Sequence, residues 1–74
     1  MNAITTYYYD SDDGRRAKLA VIDRPHVFRV RLIIRAGHGQ GALLLCKTYT
    51  TRKGARAALR RRGGTWTLYK KTTF

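Results

Sequence analysis

Four aspartates, two histidines and one cysteine are the side chains through which this 74-residue sequence could run acid–base, nucleophilic or metal chemistry. Their spacing serves none of these. General acid–base work needs paired titratable groups whose pKa values are pushed apart. The chain has no glutamate, and no acid follows Asp23. Asp10, Asp12 and Asp13 crowd one turn, which reads as a loop or a weak cation site. An EF-hand loop would close with a glutamate at its twelfth position, and that glutamate is missing. Cys46, His26 and His38 are too few, and not at the finger-like spacing, to hold zinc. Cys46 is alone, so no disulfide forms within the chain. It lies in an apolar stretch, where a thiol is expected to be a small buried residue rather than an activated nucleophile. The glycine-rich run Gly37-His38-Gly39-Gln40-Gly41 could present N–H groups to an anion. It joins two expected strands and does not open a helix, so it fits neither the P-loop nor the dinucleotide fingerprint. A hairpin turn is the first reading and a phosphate contact the second. The chain is therefore read as a non-enzyme without cofactor or metal.

What remains is charge. From Arg24 to Phe74 there are thirteen Lys or Arg residues and no acid, and the formal net charge is +12. Self-repulsion on that scale opposes the compact state, and a polyanionic partner removes it on binding. The excess matches the electrostatic footprint of a nucleic-acid binder. At this length the chain is one domain, residues 1–74, with a marginal core. Self-association is a common remedy, so a homodimer is one expected state. Hydrophobic residues make up 43% of the chain, which argues against compositional disorder. No apolar run approaches the ~18 residues needed to cross a bilayer, and the start MNAITTYYYD lacks the charged and apolar regions of a secretory signal. No membrane contact is expected, and the expected location is cytoplasmic.

The elements that must position these cations follow from periodicity. Residues 3–9 and 17–22 read as strands joined around the Asp10–Gly14 turn. Pro25 ends the second of them. Residues 27–35, VFRVRLIIR, alternate with period two: Phe28, Val30, Leu32 and Ile34 on one face, Arg29, Arg31, Ile33 and Arg35 on the other. Residues 42–49 return as a fourth strand. Thr50 or Thr51 caps a helix over 52–62 that stops at Gly63-Gly64. Ala55, Ala58 and Leu59 share the face that packs on the sheet. Residues 65–71 close the domain as a strand, with Trp66 and Leu68 on one face. The fold class is α+β: an antiparallel sheet of four to five strands with one helix on one face, in the order β-β-β-β-α-β. Phe28, Val30, Leu32, Ala55, Leu59 and Trp66 are expected in one core.

Two basic constellations result, on opposite sides of the sheet. Arg52, Lys53, Arg56, Arg60, Arg61 and Arg62 lie on the helix, suited to phosphate contacts that position without specifying sequence. The last-turn arginines also complement the helix dipole. Arg29, Arg31 and Arg35 emerge on the other sheet face. Mixed with tyrosine, they suit base stacking or major-groove docking. Tyr7, Tyr8 and Tyr9 point alternately, so at least one is expected to be exposed. The bland readings are a solvated helix face and a sheet face covered by a dimer partner.

Residues 26–72 resemble the repeat unit of the YegP-like family of small bacterial proteins. The matching residues are Phe28-Arg29, the turn at Gly37-His38-Gly39, the Tyr49-Thr50 step into the helix, Ala55 with Ala58, and Tyr69-Lys70-Lys71. The resemblance implies a strand-strand-strand-helix unit, often duplicated or dimeric, and carries no firm activity. Here the first hairpin is longer and the helix far more basic.

The function expected from these residues is binding of DNA or RNA by a small basic domain. The alternative is a phage-type or host-modulating protein inhibitor or adaptor, anti-CRISPR-like, that docks on an acidic surface of a larger protein. A structural domain without a strong partner is the third reading. Replacing Cys46 with Ser, or His38 with Ala, is expected to leave biological activity largely intact. A large loss with an unchanged circular-dichroism spectrum would expose a site missed here.

Overall fold

The structure, a computed structural model, describes residues 3–37 and 40–73. His38 and Gly39, the centre of the expected Gly-rich turn and of its alternative reading as a phosphate contact, lie outside the described residues. The elements are β1 (Ala3–Ser11), β2 (Arg16–Arg24), β3 (Val27–Arg35), β4 (Leu43–Tyr49), α1 (Arg52–Arg61) and β5 (Trp66–Thr73). The five strands form one antiparallel sheet in the order β4-β3-β2-β1-β5. The chain leaves β4 at one edge, passes over one face as α1, and returns as β5 at the opposite edge. The fold is α+β, in the β-β-β-β-α-β order that the periodicity predicts.

The alternation along β3 decides which way the sheet faces. Val30, Leu32 and Ile34 are 0% exposed, whereas Arg29, Arg31 and Arg35 are exposed. Across the ladder Val30 meets Val21, Leu32 meets Leu19 and Ile34 meets Ala17. These six, with Ala55 and Leu59 of α1, are the buried core. Tyr7, Tyr9, Leu45, Tyr49, Ala58 and Trp66 pack around it, partly exposed. Ala55 and Leu59 share one helix face at i, i+4, and the small Ala55 lets the helix approach β3 and β4 closely.

Thr51 caps α1, its hydroxyl accepting from the Gly54 N–H at 3.1 Å. Arg62 is the C-terminal cap, and Gly63 follows with φ +74°, a left-handed conformation that costs glycine little. The β2–β3 hairpin turns at Pro25-His26. His26 has φ +66°, so Pro followed by a left-handed residue gives the pattern of a type II turn, with a histidine where glycine is preferred.

Three expectations are corrected. Phe28 is 41% exposed rather than in the core. A ten-residue helix is about 15 Å long and a nine-residue strand about 30 Å, so α1 cannot cover the end of β3 where Phe28 sits. Trp66 is only partly buried, because α1 lies over β3 and β4 rather than over β5. Cys46 is exposed, since it pairs with Ile33 on the uncovered face while its neighbour Leu45 faces the helix.

The core assignment gives a stability contrast. Leu32→Ala is expected to cost about 2–5 kcal/mol in urea unfolding, and Phe28→Ala distinctly less than the 3–5 kcal/mol typical of a core phenylalanine. Equal losses would place Phe28 in the core after all.

Candidate nucleic-acid interface

Two surfaces carry the cations. The first is the sheet face opposite α1. Ladder partners share a face, so the register places Arg16, Lys18 and Arg24 of β2 beside Arg29, Arg31 and Arg35 of β3. Tyr8 of β1 lies between Lys18 and Lys70. The Lys18 and Lys70 ammonium groups stand 5.6 and 5.5 Å from the Tyr8 ring centroid, within cation–π range. Tyr69 sits at a bulge in β5, with its ring centroid 6.2 Å from that of Tyr8 and the Arg16 guanidinium 5.1 Å from its own. A hollow of ≈ 320 Å³ opens among Tyr8, Arg16, Lys18, Ile33, Arg35 and Tyr69. Asp10, which pairs with Arg16 at 3.3 Å, is the acid on this face.

The second surface is α1 and its C-terminal end. Arg52, Lys53, Arg56, Arg60, Arg61 and Arg62 are all exposed on a helix that carries no acid. Arg56 and Arg60 border a groove of ≈ 370 Å³ whose far wall is Tyr9 and Trp66. The two clusters lie on opposite sides of the sheet, as the alternation in β3 predicts. One flat ligand surface cannot touch both.

The acidic turn is structural. Arg15 Nε donates to Asp13 Oδ1 at 2.8 Å, and its Nη1 and Nη2 donate to the Arg62 and Gly63 carbonyls at 2.9 Å each. Those carbonyls belong to the C-terminal cap of α1 and the residue after it. The guanidinium also lies 4.9 Å from the Trp66 ring centroid. Asp12 Oδ1 accepts from the Thr65 N–H at 3.2 Å. Ser11 Oγ donates to Asp13 as well. Gly64 has φ +80°, which favours glycine, and a Cβ there would come 2.9 Å from Arg15 Nη2 and 3.0 Å from Asp12 Oδ1, so a larger residue would also push on the clamp. The β1–β2 turn thus clamps the helix end onto the sheet. Among the described residues no group of three His, Cys, Asp or Glu gathers to hold a metal.

Sequence reasoning found Arg29, Arg31, Arg35 and the helix cluster but not Tyr8, Arg16, Lys18, Tyr69 and Lys70 as neighbours. Alternation in β2 puts Arg16 and Lys18 on one face, yet only the register brings them beside β3 and β1. In β5 the bulge at Tyr69 reverses the alternation, sending Lys70 to the open face and Lys71 to the helix side against Tyr7. Of the three consecutive tyrosines only Tyr8 faces the open side, and all three are half-buried, so the exposed tyrosine that alternation alone predicts is not among them.

No family model, curated protein or solved structure matches this chain.

The clamp carries a pH signature. Hydrogen bonds from Arg15 first, and then from Ser11, lower the Asp13 pKa from 3.8 to about 2. Between these values the unfolded chain binds more protons than the folded one, so stability rises with pH there. The contribution of Asp13 is complete above pH 3.8 and is lost as pH falls to about 2. Asp13→Asn is expected to flatten the fall in melting temperature across that window. An unchanged profile would show that Asp13 is not engaged in solution.

Proposed function

We propose that this protein binds nucleic acid, with the phosphate backbone supplying most of the affinity. The observation that carries the reading is the arrangement of cations on both broad faces, while the acids are held at or near the β1–β2 turn or, for Asp23, in β2. Each phosphate neutralised releases condensed counterions, so binding strengthens steeply as salt falls. The helix cluster supplies the larger share. Its side chains project from a convex element, and Arg56, Arg60 and Arg61 form its densest part. The sheet face contributes fewer phosphate contacts and has the tyrosines that can meet bases.

The reading is tested by the salt dependence of binding to random-sequence DNA and RNA. A triple variant, Arg56→Ala with Arg60→Ala and Arg61→Ala, is expected to bind weakly and to lose up to about three units of the log-affinity against log-salt slope. Arg29→Ala with Arg31→Ala is expected to lose less affinity. Circular dichroism checks the fold, since removing like charges spaced i, i+4 stabilises a helix. If neither variant changes binding, the nucleic-acid reading falls. Retention of one acidic protein from nuclease-treated lysate would then favour the adaptor reading.

A further inference from the structure

We infer that the open sheet face is a platform for single-stranded nucleic acid, on which Tyr8 and Tyr69 stack bases while Arg16, Lys18, Arg35 and Lys70 hold the backbone. The inference rests on the nucleic-acid reading above and goes further by naming the form of the ligand and the side chains that select it.

The argument begins with width. A B-form major groove is about 12 Å wide and admits a helix or a two-stranded ribbon. Five strands about 4.8 Å apart span about 19 Å, so this face cannot enter the groove and reach base edges. Laid flat, the whole face is too wide for the major-groove docking that an Arg- and Tyr-bearing sheet suggests from sequence. Laid flat on an undeformed duplex, the face would touch phosphates, and the tyrosines would meet none of the stacked bases. A single strand has no such barrier, because its bases turn freely onto an aromatic surface.

The side chains on this face fit that ligand. The two rings are 6.2 Å apart and tilted by 49°, so they offer separate stacking surfaces rather than one shared stack. Tyr69 is 48% exposed, at a bulge that aims it away from the regular ladder. Tyr8 is half-buried, with its ring framed by the Lys18 and Lys70 ammonium groups. Lysine heads on flexible stems can move from the ring to a phosphate as a base takes their place, which keeps the local charge balanced. The hollow of ≈ 320 Å³ between the rings and Arg35 has an apolar floor at Ile33 and cationic walls, matching a planar base with an anionic backbone at its edge. Among the described residues no helix covers this face: α1 contacts β3 and β4 from the other side.

The test compares oligothymidine and oligouridine of about 20 nucleotides with a duplex of about 20 base pairs at fixed salt, by fluorescence anisotropy. The parent protein is expected to bind at least one single strand about tenfold or more tightly than the duplex, and the two oligomers separate DNA from RNA. Base–aromatic stacking predicts that Tyr69→Leu loses at least about fivefold in single-strand affinity. Duplex affinity is expected to change less than about twofold. Tyr8→Phe with Tyr69→Phe keeps the rings and is expected to retain the preference. Tyr69 is exposed at an edge strand, so its substitution tests the platform even if changes at Tyr8 unfold the chain. Tight duplex binding with no single-strand preference, or an unaffected Tyr69→Leu variant, overturns the platform while leaving the nucleic-acid function standing. Absence of binding to every oligomer overturns both.

Discussion

The register of β3 is the constraint on which the other features of this molecule depend. A slip of one residue would exchange Val30, Leu32 and Ile34 for Arg29, Arg31 and Ile33 against the helix. Burying even one arginine without a partner would cost more than a domain of this size can supply. The correct register gives Val30, Leu32 and Ile34 complete burial against Val21, Leu19 and Ala17, and at the same stroke brings three arginines to the other surface. The helix is held on one side, the open face is left on the other, and the division of the cations into two clusters follows directly.

Arg15 solves a second problem that the charge creates. The end of α1 gathers Arg60, Arg61 and Arg62, and a further arginine donates from the β1–β2 turn to the carbonyls of Arg62 and Gly63 just beyond the helix. It is tolerated there because Asp13 neutralises it and the Trp66 ring lies under it. The acids of this turn therefore serve the fold, and the chain carries no acid beyond Asp23. Cation–π contacts spread charge over aromatic surface on both sides of the sheet: Lys47 over Tyr49 and Lys71 over Tyr7 on the helix side, and Lys18 and Lys70 over Tyr8 on the open face.

Much of this was legible in the sequence where local pattern alone decides the outcome. The alternation of β3, a cap at Thr50 or Thr51 and the Gly63-Gly64 stop located the central strand and the helix, and the opposition of the two basic clusters followed from them. What escaped depended on distance along the chain or on defects in periodicity. Phe28 continues the apolar alternation of β3, but nothing local reveals that a helix of this length stops short of it. Cys46 lies in the run Ala42–Cys46, which has no alternation and hence no readable phase. The bulge at Tyr69 leaves no mark in TWTLYKK, yet it decides that Lys70 rather than Lys71 joins Tyr8. The aromatic part of the candidate site was hidden because cross-strand register assembles it from β1, β2 and β5.

The central claim is that the cationic surfaces of this domain meet nucleic acid. The most direct measurement is a backbone-amide NMR titration of the isotope-labelled protein with a short oligonucleotide at physiological salt. The account predicts saturable shifts at Tyr8, Lys18, Tyr69 and Lys70 on the open face and along Arg56–Arg62 on the helix. Absence of saturable shifts, or shifts confined to the apolar edge at Leu43 and Leu44, would contradict it.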